Sequence, residues 1–207
     1  MIQDKTTSES EETRPRKSPI LLCDGGVESL LCGLILEQEF SSGIRMRHLR
    51  GSSGNATRLE ACARQQATLL EVPIEVADGA NGQPHAIQTL CDGLNAAGSE
   101  DFLIWPVRCG PEAISVARQL ELAQHLARAF TVERQIEQVT IDTPMIDLDT
   151  VQILDMIFDI GAPLEVAWPC DRGEQVPCGG CQGCSTWREA AKSLDREWPW
   201  GEIQSPT

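Results

Sequence analysis

Residues 18–31 read SPILLCDGGVESLL, and this stretch indicates the fold class. Residues 19–23 form an apolar run that predicts a buried strand, and Asp24, Gly25 and Gly26 predict a tight turn directly after it. From Val27 onward, apolar residues recur at the three- and four-residue spacing of a helix. A strand, a glycine turn and a helix in this order form the first half of a parallel βαβ unit.

The alternation of strand and helix patterns continues along the chain. Further strands are predicted at residues 44–49, 73–77, 101–107 and 136–141, and further helices at 55–70, 85–97, 111–130 and 149–160. Asn55 is predicted to cap the second helix, and Asp149 with Gln152 has the spacing of a capping box. The sequence therefore predicts an α/β fold with a parallel sheet that helices cover on both faces.

The composition limits the class of protein. Of the 207 residues, 41% are apolar and 23% charged, which is enough apolar material for one sizeable core. Acidic residues outnumber basic ones by 31 to 17, and a net charge of −14 argues against a protein that coats nucleic acid or an anionic membrane. No apolar run approaches the roughly 20 residues of a membrane span, and residues 1–17 lack the apolar core of a secretory signal. We expect a soluble cytoplasmic protein with no nucleic-acid or membrane partner.

A cysteine cluster is the most specific chemical feature. Four of the nine cysteines lie between residues 170 and 184, with glycines between the last three: Cys170, Cys178, Cys181 and Cys184. Four thiolates at this spacing favour a structural zinc ion, because a closed set of four sulfurs leaves no position for a reacting water. An iron–sulfur cluster and free or disulfide-bonded cysteines are the alternatives. The other five are predicted to be small core residues: Cys23, Cys32, Cys62, Cys91 and Cys109.

Three motifs together resemble one family. The chain is similar to the 7-cyano-7-deazaguanine synthases, which are pyrophosphate-loop ATP enzymes of the queuosine pathway, in three motifs: residues 24–29 (DGGVES), 143–148 (TPMIDL) and 168–184 (from Trp-Pro-Cys to the last cysteine). Residues 105–108 (WPVR) resemble that family's Pro-Gly-Arg-Asn stretch more weakly. The resemblance covers most of residues 18–190, and it is most specific from Thr143 onward.

The resemblance implies a fold, a reaction and a set of binding residues. It implies a Rossmann-like sheet of the adenine-nucleotide hydrolase-like type with a C-terminal zinc-binding strap. ATP with Mg²⁺ would activate the carboxylate of 7-carboxy-7-deazaguanine, and ammonia would convert it to an amide and then to a nitrile. A homodimer is compatible with this family. The implied ATP-binding residues are Asp24, Gly25, Gly26, Glu28, Ser29 and Arg108. Gly25, Gly26 and Ser29 would donate to pyrophosphate. Glu28 would hold magnesium and Arg108 would face an anionic group, and no catalytic residue is assigned.

The expected organisation has four parts. Residues 1–17 are expected to be a disordered tail, 18–165 a nucleotide-binding α/β domain, 166–190 a zinc strap with four cysteine ligands, and 191–207 a loose tail. No role is assigned to the histidines, which are expected to be surface or edge residues.

Three positions depart from the family pattern. Asp24 replaces the first serine of the loop, Glu28 replaces its aspartate, and Thr150 stands where the family usually has a lysine. An added carboxylate and a lost cation both weaken the attraction for phosphate. The alternatives are therefore a catalytically silent zinc-bearing module that binds a nucleotide, a base or a protein partner, and a sulfur or amide transferase of the same pyrophosphate-loop group.

Overall fold

A computed structural model of the chain describes residues 18–40, 43–79, 86–98, 101–108, 113–135, 139–173 and 175–201, with the side chains of 113–116 left out. Within these residues the strands are β1 (Ser18–Leu22), β2 (Arg45–Arg50), β3 (Ile74–Asp78), β4 (Asp101–Ile104) and β5 (Ile141–Asp142). The α-helices are α1 (Val27–Glu39), α2 (Ala56–Leu69), α3 (Ala86–Ala96), α4 (Ala113–Arg134), α5 (Thr150–Ile160) and α6 (Gln182–Ser193), and a short 3-10 helix spans Leu164–Val166. The predicted N-terminal tail, Cys109 and residues 202–207 lie outside the described residues.

The strands form one parallel sheet in the order β3-β2-β1-β4-β5. This is the order of a doubly wound α/β sheet, in which the chain builds outward from a central first strand in both directions. The α/β fold with a parallel sheet is therefore confirmed. None of the described helices combines the length and the apolar character that crossing a bilayer requires.

Each face of the sheet has its own apolar core. On one face, Leu21 and Cys23 pack with α1, α2, α5 and α6. On the other face, Ile20 and Leu22 pack with α3 and α4. Because successive side chains of a strand point to opposite faces, the continuous apolar run of β1 supplies both cores.

The ends of the elements show where local sequence patterns mislead. β4 ends at Ile104, shortly before Pro106, whose ring nitrogen carries no N–H for the sheet. The last predicted strand shrinks to Ile141–Asp142, and residues 136–138 of that prediction lie outside the described residues. The capping box of α5 is confirmed, with Asp149 Oδ1 accepting from the Gln152 N–H at 2.8 Å.

The C-terminal region differs from the expectation of a loose tail after residue 190. Helix α6 continues to Ser193, and Trp198 and Trp200 pack against the first core. The Trp200 indole N–H donates to the Ala167 carbonyl oxygen at 2.7 Å. Large aromatic side chains gain enough from burial to order a segment that is otherwise rich in polar residues and proline.

Candidate functional site

The strand order places a crevice beside the glycine turn. β1 and β4 are neighbours in the sheet, but α1 follows β1 on one face and α4 follows β4 on the other. In open α/β sheets, ligands bind outside the carboxyl ends of strands at such a switch point. Here those ends carry residues 23–26 and residues 105–108, so the structure brings the turn and Arg108 to one place.

Gly25 is required by the shape of the turn. Its φ is +84°, which an L side chain rarely adopts, and a Cβ atom there would lie 2.2 Å from the Leu59 carbonyl oxygen. The Gly25 carbonyl oxygen accepts a hydrogen bond from the Trp168 N–H at 2.9 Å. The turn is therefore held between α2 and the segment that leads to the cysteines.

Asp24 turns back onto the loop. Its Oδ1 accepts from the Gly26 N–H at 2.8 Å and lies 2.9 Å from the Ser29 hydroxyl, which donates to it. Asp24 is exposed, whereas Gly26 and Ser29 are buried. Two of the groups expected to donate to pyrophosphate thus bind a carboxylate of the same loop.

Glu28 and Arg108 form an ion pair across the crevice. Arg108 Nε lies 2.6 Å from Glu28 Oε1, and the guanidinium carbon lies 5.9 Å from the centre of the Trp187 ring. Burial raises the pKa of Glu28, the Asp24 carboxylate raises it further, and Arg108 opposes both effects. Arg108, which we expect to face an anionic group of the ligand, contacts the Glu28 carboxylate in this structure.

Gln66 is a polar residue of the site whose role sequence reasoning missed. Its side chain is fully buried, and its Nε2 donates to the carbonyl oxygens of Gly26 at 3.0 Å and Val166 at 3.2 Å. Its Oε1 accepts from the Cys23 thiol at 3.3 Å, and burial raises the pKa of this thiol to about 12, which keeps it protonated as a donor. Gln66 shares the buried face of α2 with Cys62, Ala63 and Ala67, and a polar residue on an otherwise apolar face is the signal that could have indicated this role.

His48 is buried, which corrects the expectation of a surface or edge histidine. Only 3% of the residue is exposed, and its Nδ1 lies 2.9 Å from the Cys23 carbonyl oxygen. Its Nε2 has no hydrogen-bond partner among the described residues. The histidine lies beneath the turn because β2 runs beside β1 and its even-numbered residues face the same core as Met46.

The four predicted metal ligands come together in space. Their Sγ atoms all lie within 4.8 Å of one another, and Cys170 Sγ is 3.7 Å from Cys181 Sγ. A zinc ion with Zn–S bonds of about 2.3 Å at the centre of a sulfur tetrahedron requires S–S edges of about 3.8 Å. The sulfurs also accept backbone N–H donors, among them those of Arg172, Cys178 and Cys184, each at 3.4 Å. Four converging sulfurs, of which those of Cys170 and Cys181 accept these backbone donors, fit a tetrahedral metal ion.

The cysteine cluster is attached to α2. Asn55 does not cap that helix through its side chain; its Nδ2 instead donates to the Cys170 carbonyl oxygen at 3.4 Å. Arg58 donates to the Gln175 carbonyl oxygen and lies over the Trp168 ring at 5.0 Å. Asn55 is the N-cap residue by position, as predicted, but its Oδ1, the atom that would cap the helix, accepts from the Ser53 hydroxyl at 2.7 Å.

α6 supports the cluster from the other side. Cys181 is the N-cap of this helix, and its sulfur accepts from the Cys184 N–H. Arg188 Nη2 donates to the Gly179 carbonyl oxygen at 2.6 Å. The clustered cysteines are thus held between two helices.

The remaining sequence motif lies at the end of the sheet next to β4. Residues 143–148 form the turn between β5 and α5, in which Met145 is buried. Thr150 is the first residue of α5 and follows the capping Asp149. The motif is therefore at the carboxyl edge of the sheet that also carries the glycine turn.

Comparison with known proteins supplies the family. The family model described as "Queuosine biosynthesis protein QueC" matches residues 87–195, which contain Arg108, the 143–148 motif and all four clustered cysteines. A curated 7-cyano-7-deazaguanine synthase from Acidobacterium capsulatum is 27% identical over 67% of this chain and 60% of its own length. Another from Methanosarcina barkeri is 38% identical over 31% of this chain and 28% of its own length.

Among solved structures, the U34-tRNA thiolase NcsA from Methanococcus maripaludis with its 4Fe-4S cluster is 15% identical. The match covers 88% of this chain and 66% of that one, with a TM-score of 0.48. The chain spans less than two thirds of the length of the two curated 7-cyano-7-deazaguanine synthases. Because the family model matches more than half of the 207 residues, this chain belongs to the queuosine biosynthesis protein QueC family.

Proposed function

We propose that this protein is a 7-cyano-7-deazaguanine synthase-like ligase, which uses ATP and ammonia to convert the carboxylate of 7-carboxy-7-deazaguanine to a nitrile. Family membership and the names of the curated relatives support this reaction. The structural observation that carries it is the glycine turn at the switch point of the sheet, where its Gly25 carbonyl bonds to Trp168 of the cysteine strap.

The crevice offers the groups that carboxylate activation needs. A carboxylate is a poor electrophile until one oxygen becomes part of a good leaving group, and adenylation by ATP with release of pyrophosphate provides one. The Gly26 N–H, the Ser29 hydroxyl and the N-terminus of α1 are the donors that would bind the pyrophosphate. Ammonia then attacks the acyl carbon and AMP leaves; a second ATP would activate the amide oxygen so that its departure leaves the nitrile.

Two charged residues define the rest of the nucleotide site in this proposal. Mg²⁺ would be held by Glu28, and it would neutralise charge that develops on the pyrophosphate. Arg108 would then be released from Glu28 and become available to a phosphate oxygen. In this structure the Glu28 carboxylate and the Arg108 guanidinium are paired with each other at 2.6 Å.

We further propose that the cysteine cluster holds zinc in a structural role. The sulfur separation of 3.7 Å between Cys170 and Cys181 agrees with a tetrahedral zinc–thiolate site, and four sulfur ligands leave no open position for a reacting water. Such an ion would fix the strap against α2 and beside the turn. We place the protein in the cytoplasm, because metal-binding thiols need a compartment that keeps them reduced.

The substrate of this proposal is a free deazapurine acid, not a base within a nucleic acid. The chain carries a net charge of −14, and binding to a phosphate backbone requires a basic surface. A small-molecule acid, ATP and ammonia are then the only reactants needed. A homodimer is the assembly that we propose for the active protein.

The test is turnover by the zinc-loaded protein. We expect release of AMP and pyrophosphate that depends on 7-carboxy-7-deazaguanine, together with formation of the nitrile in the presence of ammonium and Mg²⁺, followed by mass spectrometry. Glu121→Gln, which removes an exposed charge from α4, should behave as the unchanged protein. Absence of both nucleotide hydrolysis and nitrile would contradict the proposal and favour the silent module.

A further inference from the structure

We infer that the Asp24 carboxylate occupies the anion-binding position of the glycine turn, so that ATP binds only when its phosphates displace this side chain. This inference rests on the proposed function, since it concerns how the same crevice admits its nucleotide. Asp24 then competes with the phosphates of ATP for the hydrogen-bond donors of its own loop.

The hydrogen bonds of Asp24 define its position. One carboxylate oxygen accepts from both the Gly26 N–H, at 2.8 Å, and the Ser29 hydroxyl, at 2.9 Å. These are a backbone N–H at the start of a helix and a hydroxyl in its first turn, the same types of donor that bind phosphate at helix N-termini. A pyrophosphate oxygen that used both donors would have to take the place of this oxygen.

The carboxylate is also packed against the turn. A Cβ atom at Gly26 would lie only 3.0 Å from Asp24 Oδ1, so the side chain fills the space above the backbone. Asp24 is nevertheless exposed, which means that it covers the turn from the solvent side. It can rotate away without any rearrangement of the core.

The local charges strengthen the competition. The nearby cation, Arg108, is already paired with Glu28 at 2.6 Å, and no lysine or arginine among the described residues forms an ion pair with Asp24. An incoming pyrophosphate therefore meets two carboxylates and one cation that is in use. If the open loop is populated about one tenth of the time, the apparent dissociation constant for the anion rises about tenfold.

The test uses inorganic pyrophosphate as the probe and Asp24→Ser and Asp24→Asn as the variants, with binding measured by calorimetry on the full chain. Asp24→Ser removes the carboxylate, and Asp24→Asn keeps an oxygen of similar position without the charge. We expect Asp24→Ser to bind pyrophosphate about tenfold more tightly than the unchanged protein, with Asp24→Asn between the two. Asp78→Asn removes the same charge from a side chain that is 82% exposed at the end of β3, and it should change nothing.

Each outcome decides the inference. Equal or weaker binding by both Asp24 variants would overturn it, and so would the absence of pyrophosphate binding by both. If Asp24→Ser fails to fold, as judged by circular dichroism, the affinity of Asp24→Asn decides alone. If the Asp24 variants bind pyrophosphate more tightly but no form of the protein makes the nitrile, the inference stands and the ligase activity is refuted. If the unchanged protein makes the nitrile but the variants bind pyrophosphate with unaltered affinity, the ligase activity stands and the inference is refuted.

Discussion

At the scale of single residues, the crevice is shaped by donors and acceptors that already have partners. The Asp24 carboxylate accepts from the Gly26 N–H, and the Gln66 amide donates to the Gly26 carbonyl oxygen. The N–H and the carbonyl oxygen of Gly26 therefore both have side-chain partners. Buried polar groups of this kind are costly to leave unpaired. The side chains behind the turn therefore determine how its donors face the crevice.

Gln66→Leu tests this support directly. The change removes the donor of the Val166 carbonyl oxygen and the acceptor of the buried Cys23 thiol, while the Gly26 carbonyl oxygen keeps the Leu30 N–H at 3.3 Å. We expect the free energy of unfolding to fall by about 1–3 kcal/mol, the cost of leaving buried polar groups without a partner, in urea titrations. The adjacent Gln65 is exposed, so Gln65→Leu is the matched control and should lie within about 0.5 kcal/mol of the unchanged protein. Equal effects of the two changes would show that Gln66 contributes only through apolar contact.

The sequence predicted some of these residues and not others for a physical reason. Gly25, Gly26 and Ser29 were recognisable because a glycine turn between a strand and a helix is a local pattern. Gln66 and His48 bond to Cys23, Gly26 and Val166, which lie 25 to 100 positions away, and no local pattern carries that information. Asp24 was recognised as an anion beside the loop, but only the structure shows which donors it takes.

At the scale of helices and strands, periodicity identified the interior elements and missed the last one. α1, α2 and α5 have apolar stripes that the sheet buries, and their predicted positions agree with the structure. α6 was not predicted, because its first turn consists of residues Gln182 to Ser185, which were interpreted as metal-strap sequence. Its buried side, Cys184, Trp187, Ala190 and Ala191, follows helical spacing and was the signal available.

The contact between β2 and α2 should respond to acid. Glu60 on α2 accepts from Arg50 on β2 at 2.6 Å and from Arg64 at 2.7 Å. Hydrogen bonds from Arg50, opposed by partial burial and reinforced by Arg64, lower the pKa of Glu60 to about 2. A carboxyl group with a lowered folded-state pKa stabilises the fold above its unfolded pKa, near 4.5, and loses that contribution as the pH falls toward 2.

Glu60→Gln measures that contribution. We expect it to lower the free energy of unfolding at pH 7 by only about 0.5–1 kcal/mol, because the side chains of the partner arginines are 43% and 51% exposed to water. The difference from the unchanged protein should shrink progressively below pH 4.5 in denaturant titrations. Glu121→Gln, on the exposed side of α4, removes the same charge without these contacts. A difference that stays constant between pH 7 and the acid limit would show that the ion pairs do not cause it.

At the scale of the whole molecule, the crevice joins segments that are far apart in the chain. The turn at residues 24–29 is bonded to Trp168, and Trp168 packs with Cys62, Cys170 and Cys184 in a small separate core. Trp200 closes this arrangement by donating to the Ala167 carbonyl oxygen at 2.7 Å. Whatever holds the cysteines therefore also positions one wall of the nucleotide site that we propose.

We consequently expect that loss of the zinc proposed for the cysteine cluster loosens the C-terminal third while the sheet persists. We expect the purified protein to contain one zinc per chain, and Cys181→Ser to lose it and to lower Tm by about 10 °C, because metal binding contributes folding free energy. Tryptophan fluorescence should change as well, since Trp168 packs against the ligands. Cys91→Ser, a half-buried cysteine on α3, is the matched control and should retain the zinc. If elemental analysis finds iron and acid-labile sulfide in place of zinc, the cysteines hold an iron–sulfur cluster. A full zinc content and an unchanged Tm in Cys181→Ser would refute a structural metal at these four sulfurs.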